Sequence, residues 1–386
     1  MGIQRKSRWF AASAIFSCAA LLAGCSGDTG GGSGGGTGSG TGGTGTGTGG
    51  DTNNVTLVTT NSFAISDEAK AAFEEASGRT LTIVPVGSAG VLANQLVLTR
   101  DNPLGDAFFG VDNTFISRLI DNNVITPLQT LEGGEEVYLI PITQGDVCIN
   151  VDDAWFGQNN VLPPTNLNDL VSSQFSGQTV VLNPTTSSPG MAFFLATVAA
   201  FGDESVGVHG VGGGSILNGE NTPGDDTAPT SWQEFWGRLR ANGVQVSDSW
   251  SDGYFSDFSG AGEGGQRPIV VSYSSSPAST LNDDGTASTT SALLDTCFRS
   301  IEYAGVLQNA ANEHGAIELI EFLLGPVFQA DLPTQMWVYP VAPEIQLPQE
   351  WAQFAPQAQT PFSLDPQTVE ANREHWLEEW QQIMFG

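Results

Sequence analysis

The sequence predicts an α/β protein of two lobes, built on mostly parallel sheets with helices on their faces. Three observations predict it. Short β-branched runs alternate with amphipathic stretches from Val55 onward, the βαβ order that yields parallel strands covered on both sides. The chain from about Val55 to Gly386 is too long for one small core and suits two. Several strands also run into small or hydroxyl-bearing turns that open a helix, where open α/β sheets hold their ligands.

The first segment is read as targeting rather than fold. Arg5, Lys6 and Arg8 precede the apolar run WFAASAIFSCAALLAGC, which is too short and too poorly flanked for a membrane span. It ends in Leu22-Ala23-Gly24-Cys25, which resembles the lipobox of bacterial and archaeal lipoproteins. The resemblance implies a signal peptide over 1–24, a diacylglycerol on the Cys25 thiol, and a mature protein held outside the cytoplasmic membrane. Residues 25–54 then form a tether of Gly, Ser, Thr and Asp. That composition buries no apolar surface and predicts a coil reaching on the order of 30 Å.

The elements follow in order. Val55–Thr60 (VTLVTT) reads as a strand and Asp67–Gly78 as a helix stopped by Gly78, glycine being the usual C-terminal stop. TLTIVPV is the next strand; Gly87-Ser88-Ala89-Gly90 leads from it into a helix through VLANQLVLTR. DAFFGVDN and TFISRLIDNN repeat the pair, and QTVVLNP, GVQVSDSW and RPIVVSYSSSP continue it mid-chain. Gly202–Ser231 is Gly-rich, lacks periodicity and reads as a surface insertion. GAIELIEFLLGP and DPQTVEANREHWLEEWQQIMFG close the chain as helices, with Trp376 and Trp380 at packing distance along the last.

Charge and cysteine use narrow the functional class. Twelve basic residues face 42 acidic ones, a formal net charge of −30. Removing the leader takes three of the twelve and no acid, leaving nine against 42. Such a balance excludes nucleic acid as a partner. It attracts cationic solutes, and it equally serves solubility in salty surroundings. Of four cysteines, Cys18 leaves with the leader and Cys25 takes lipid. Cys148 and Cys297 are then expected to form a disulfide in an oxidising compartment.

Nothing in the chain asks for catalysis. Lys6 and Lys70 are the only lysines, and His209, His314 and His375 lack metal-ligand spacing. Nucleophile-elbow, dinucleotide and phosphate-loop fingerprints are absent. No catalytic residue, metal or cofactor is expected.

Binding is better supported. In VVLNPTTSSPGMAF four hydroxyls, Thr185 to Ser188, stand before a helix, with Ser188 read as its cap and Pro189 as its first residue. Tyr273-Ser274-Ser275-Ser276-Pro277 repeats the device after a second strand, and Ser88-Ala89 forms a third uncrowded exit. Such helix starts cap themselves or hold a ligand; three together favour a site. Trp250, at the end of GVQVSDSW, Tyr273, and Trp337 in MWVYPV would add aromatic faces, and Asp112 a negative charge. This combination suits a flat cation.

The segments LVTTNSFAISDEAKAAFEEASG, GDAFFGVDNTFISR, NPTTSSPGMAF, SWSDGYFSDF, VVSYSSSPA and MWVYPV, taken together, resemble the thiamine-binding proteins of ABC importers from about Thr56 to Trp380. The resemblance implies a type II periplasmic-binding-protein fold, with lobe I over 55–142 and 274–386, lobe II over 143–273, and a two-stranded hinge. Hinge bending is expected near Ile140 to Val147 and Pro268 to Ser272. It further implies a monomeric receptor, not an enzyme, that passes thiamine, thiamine phosphate or thiamine diphosphate to an ABC permease. Ser88, Ala89, Asp112, Ser187, Ser188, Trp250, Tyr273, Ser274, Ser275, Ser276 and Trp337 would line its site. This chain has Thr60-Asn61-Ser62-Phe63 where members often carry Tyr-Asp before Ser-Phe, and Ser88 where an acid often precedes the glycine turn. Two alternatives stay open: a receptor of the same fold for ferric or another small cation, and an envelope enzyme using Cys148 or Cys297 on thiamine-like compounds.

Overall fold

The computed structural model describes residues 53–386 apart from 131–135, 212–227 and 263. The leader, Cys25 with its expected lipid, nearly all of the tether and much of the 202–231 insertion lie outside those residues. The chain opens with β1 (Asn54–Thr59), α1 (Asp67–Ser77), β2 (Thr80–Pro85), α2 (Ala89–Leu98), β3 (Ala107–Asp112) and α3 (Ile116–Asp121), the alternation read from sequence. Ser66 caps α1 by accepting from the Ala69 amide, and Gly78 stops it at φ 68°, a left-handed position that glycine takes without strain.

Short strands β4 (Ile125–Thr126), β5 (Gln129–Thr130) and β6 (Glu136–Val137) lead into the long β7 (Ile140–Asp152). Next come α4 (Asp153–Asn159), β8 (Thr179–Leu182), α5 (Ser188–Phe201), the small pair β9 (Gly202–Asp203) and β10 (Val208–His209), and α6 (Trp232–Ala241). After β11 (Gln245–Ser247), the single turn α7 (Trp250–Asp252) and β12 (Ile269–Tyr273), the chain enters its longest strand, β13 (Thr290–Leu307). It ends with α8 (Glu313–Leu324), α9 (Pro326–Gln335), β14 (Tyr339–Pro340), α10 (Gln349–Phe354) and α11 (Pro366–Phe385).

Among the described residues ten strands join in one sheet, with the path β11-β8-β12-β7-β13-β3-β1-β2 and with β14 on β7 and β4 on β13. Parallel pairs form its two outer blocks, β1 with β2 and β3, and β8 with β11 and β12. Antiparallel β7 and β13 join the blocks. Each block has its own core. Phe73, Phe109, Leu319 and Phe328 centre one, and the almost wholly buried α5 centres the other with Trp232 and Trp236 of α6. Along β7, β13 pairs on one side and β12 on the other over Val147–Val151; Pro268–Ser272, expected to share the hinge, leads into β12.

Helix α11, assigned on sequence to lobe I, buries Trp376 and Trp380 in the core around α5 and α6. Its other side meets α3: Arg118 pairs with Glu370 at 3.1 Å, and Arg373 donates to the Thr114 carbonyl. A disulfide of 2.00 Å joins Cys148 on β7 to Cys297 on β13, as expected. Asp203, at the start of the insertion, is 2 % exposed. It accepts the indole N–H groups of Trp232 and Trp376, each at 2.9 Å. An acidic residue read as part of a surface loop is thus a core fastener.

Candidate functional site

The ends of β8, β11 and β12, adjacent in the sheet, converge on an aromatic corner. Trp250 does not end β11 as the sequence suggests; it opens α7, whose turn is fixed by Ser249 Oγ accepting from the Asp252 amide at 3.1 Å. The half-buried indole donates from Nε1 to Ser272 Oγ at 2.9 Å. Tyr254 stacks on it with ring centroids 5.0 Å apart and planes 13° apart. The Tyr273 ring stands at 6.2 Å and 59°, and exposed Phe255 meets the indole edgewise at 5.3 Å. Tyr273 also lies over Gly145, where an added Cβ would meet its ring at 3.6 Å.

The hydroxyl-rich turns sit beside this corner, but both caps fall one residue earlier than the sequence suggests. Ser187, not Ser188, caps α5 through its bond from the Gly190 amide at 3.3 Å. A Cβ on Gly190 would lie 2.8 Å from the carbonyl oxygens of Leu182 and Asn183, so glycine lets this helix start against the exit of β8. Thr185 is bound to Asn183, and Thr186 donates to the Asp248 carbonyl at 2.7 Å, which ties the turn to the loop carrying Trp250. Among the described residues the amide and hydroxyl of Ser188 have no protein partner.

The second turn forms a four-residue 3₁₀ segment, Ser276–Ser279, after Ser275, rather than the expected helix. Its hydroxyls are engaged inside the protein. Ser274 bonds the Tyr339 hydroxyl at 3.1 Å, Ser275 donates to the Trp337 carbonyl at 3.1 Å, and Ser276 bonds Ser272 at 2.7 Å. The chain uses this turn to hold the aromatic residues.

Trp337 follows α9 at φ 58°, a left-handed conformation that costs a bulky residue free energy and marks functional sites often. Its ring is 45 % exposed and leans on Trp351 at 6.1 Å. Packing does not account for keeping a tryptophan exposed there.

Carboxylates border the corner. Asp112 is buried and accepts the amide and hydroxyl of Thr114 at 2.8 and 2.5 Å, shaping the turn before α3; burial pushes its carboxyl up against those bonds and Arg373. Glu302 on β13 was not singled out from sequence. Burial pushes it up to about 7, with the Asp112 charge adding and the Thr143 hydroxyl opposing. The Tyr273 phenol is pushed up by burial and by the charges of Glu302 and Asp112, which places all three groups together. Ser88 is exposed and Ala89 buried at the start of α2; among the described residues no hydrogen bond or ring contact joins them to the aromatic corner.

Tyr254 and Ser272 also meet the Trp250 indole, by ring stacking and by a hydrogen bond. Tyr254 lies in SDGYFSD beside Trp250, and its spacing from that residue was an available signal. Ser272 carried none, because its role follows from strand register.

An open sheet whose strand exits meet in an aromatic, acid-bordered corner has the architecture of a ligand-binding protein. The chain belongs to the family of bacterial extracellular solute-binding proteins, whose model matches residues 68–359. It is 26% identical over 340 residues to a thiamine-binding periplasmic protein of Salmonella typhimurium, covering 86% of this chain and 93% of that one. A solved periplasmic thiamin binding protein shares the fold with a TM-score of 0.66 at 23% identity, over 86% of this chain and 96% of the other. A Bordetella ferric binding protein shares it with a TM-score of 0.59 at 16% identity, over 86% and 98%.

Proposed function

We propose that this chain is an extracytoplasmic receptor that captures thiamine, or its mono- or diphosphate, and hands it to the permease of an ABC importer. The observation that carries the reading is the corner of Trp250 and Tyr273 beside Asp112 and Glu302. Ring faces attract a flat cation by roughly 0.5–1 kcal/mol in water and about 2 kcal/mol once water is excluded, and nearby carboxylates add charge complementarity. Ser188, with its free amide and hydroxyl at the start of α5, is suited to the hydroxyethyl or phosphate end. Exposed Trp337 would close over the ligand as β7 and β13 bend. The relatives' names support the same ligand.

In this reading the Cys25 lipid and the 25–54 tether hold a monomeric receptor at the outer face of the membrane, near its permease. Ferric ion fits less well, since none of the five tyrosines adjoins another in sequence and Tyr339 donates its hydroxyl to the Ala355 carbonyl at 2.7 Å.

Calorimetric titration with thiamine, its monophosphate and its diphosphate tests the proposal. Saturable binding to at least one is expected, weakened about tenfold or more by Trp250→Ala. No heat with any of the three, or a charge-transfer colour on adding ferric salt, would contradict it.

A further inference from the structure

Thr143, Glu302 and Asp112 stand opposite one another on β7, β13 and β3. Residues directly opposite across adjacent strands share a face of the sheet, so the two carboxyl groups and the hydroxyl leave it together. Thr143 Oγ1 donates to Glu302 Oε2 at 2.6 Å. Among the described residues no other hydrogen bond reaches this carboxylate and no lysine, arginine or histidine pairs with it. The cations around it are committed elsewhere. Arg299 on β13 holds Asp146 by two bonds of 2.7 and 2.8 Å, and Arg373 on α11 holds Glu370 at 2.6 Å and the Thr114 carbonyl.

The other titratable groups facing Glu302 are acids. Asp112 stands across on β3, Tyr273 faces it from β12, and Tyr303 follows on β13 itself, where burial and the Asp112 charge also push its phenol up. A half-buried carboxylate with one hydroxyl partner, a carboxylate neighbour and no cation is expensive to ionise. It becomes cheap to ionise when a cation arrives.

We propose that Glu302 is the charge-reading residue of the site: it carries a proton while the site is vacant and releases it to solvent when a cationic ring settles against Trp250 and Tyr273, leaving the carboxylate as counter-ion. The proposal rests on the reading above that the ligand is a flat cation. Capture is then an exchange of one positive charge for another. A neutral ring of the same shape displaces no proton and binds more weakly, so Glu302 selects for charge while the aromatic residues select for shape.

The sign follows from linkage. With its proton held to about neutral pH in the empty site and lost in the complex, Glu302 makes affinity climb with pH and level off above neutrality. From about pH 5.5 to about pH 8 the gain is on the order of 30-fold. The test is calorimetric titration with unphosphorylated thiamine, which has no phosphate titrating near neutrality, in buffers of differing ionisation enthalpy. For the wild type near pH 7 the apparent heat should vary with buffer by about half a proton released per ligand bound. Near pH 9 the variation should vanish. Glu302→Gln should bind at least tenfold more weakly, with no buffer dependence at either pH. Wild-type binding without buffer dependence at pH 7, or with proton uptake, would overturn the exchange and leave thiamine as the ligand. No binding at any pH would remove the thiamine reading, and the exchange with it.

Discussion

Asp203 shows how much one carboxylate can decide. Burial opposes its charge, yet bonds from Ser205 and the indoles of Trp232 and Trp376 hold it below the usual carboxylate range. Asp203→Ala leaves two buried indole N–H groups unpaired, which should cost about 3 kcal/mol or more, read from urea unfolding near pH 7. Because its folded-state pKa is depressed, this stabilisation is complete above the ordinary carboxylate pKa and fades as pH falls through the folded one. The gap between wild type and variant should therefore narrow in acid; a gap independent of pH would argue against an ionised Asp203. Sequence alone made it part of a glycine-rich loop, since composition reports the surroundings of a residue in the chain and not its neighbours in space. Trp250, Tyr273 and Trp337 drew notice in the sequence because aromatic residues beside polar turns and late strands stand out, whereas Glu302 was one acid among 42 until strand register set it beside Asp112.

At the scale of elements, the outer strands and their helices were readable from periodicity, but the central strands were not. β13 runs 18 residues, Thr290–Leu307, with a half-exposed polar and apolar mixture and register shifts at Leu293/Phe298 and Glu302/Tyr303. Such a strand crosses from one core to the other and changes its environment along its length, so no single alternation describes it. The turns failed in a different way: a run of Ser and Thr names a cap region without naming the cap, and Ser187 rather than Ser188 takes that role at α5. The Cys148–Cys297 bond spans a sequence separation of 149 residues and ties β7 to β13. Removing so long a loop closure should lower stability by about 2–5 kcal/mol, measured as an earlier denaturant midpoint for the reduced and alkylated protein. Equal midpoints would show that the sheet hydrogen bonds alone hold these strands.

Over the whole molecule, two parallel blocks are joined by two long antiparallel strands, and bending at those strands would leave either core intact. The corner of Trp250, Tyr273 and Glu302 draws on both: β11 and β12 exits from one side, and β13 beside β3 from the other. Closing the lobes would bring Trp337 toward the same place and exclude water, which strengthens every charge contact there. On the proposed reading the acidic surface would raise the local concentration of a cation before capture, and the site would select among cations afterwards. The most direct measurement is a crystal structure of the protein grown with thiamine. A thiamine ring in van der Waals contact with the Trp250 or Tyr273 ring, with the Glu302 carboxylate on its cationic side, is the expected result. A vitamin bound elsewhere, with no contact to Trp250, Tyr273 or Glu302, would contradict it.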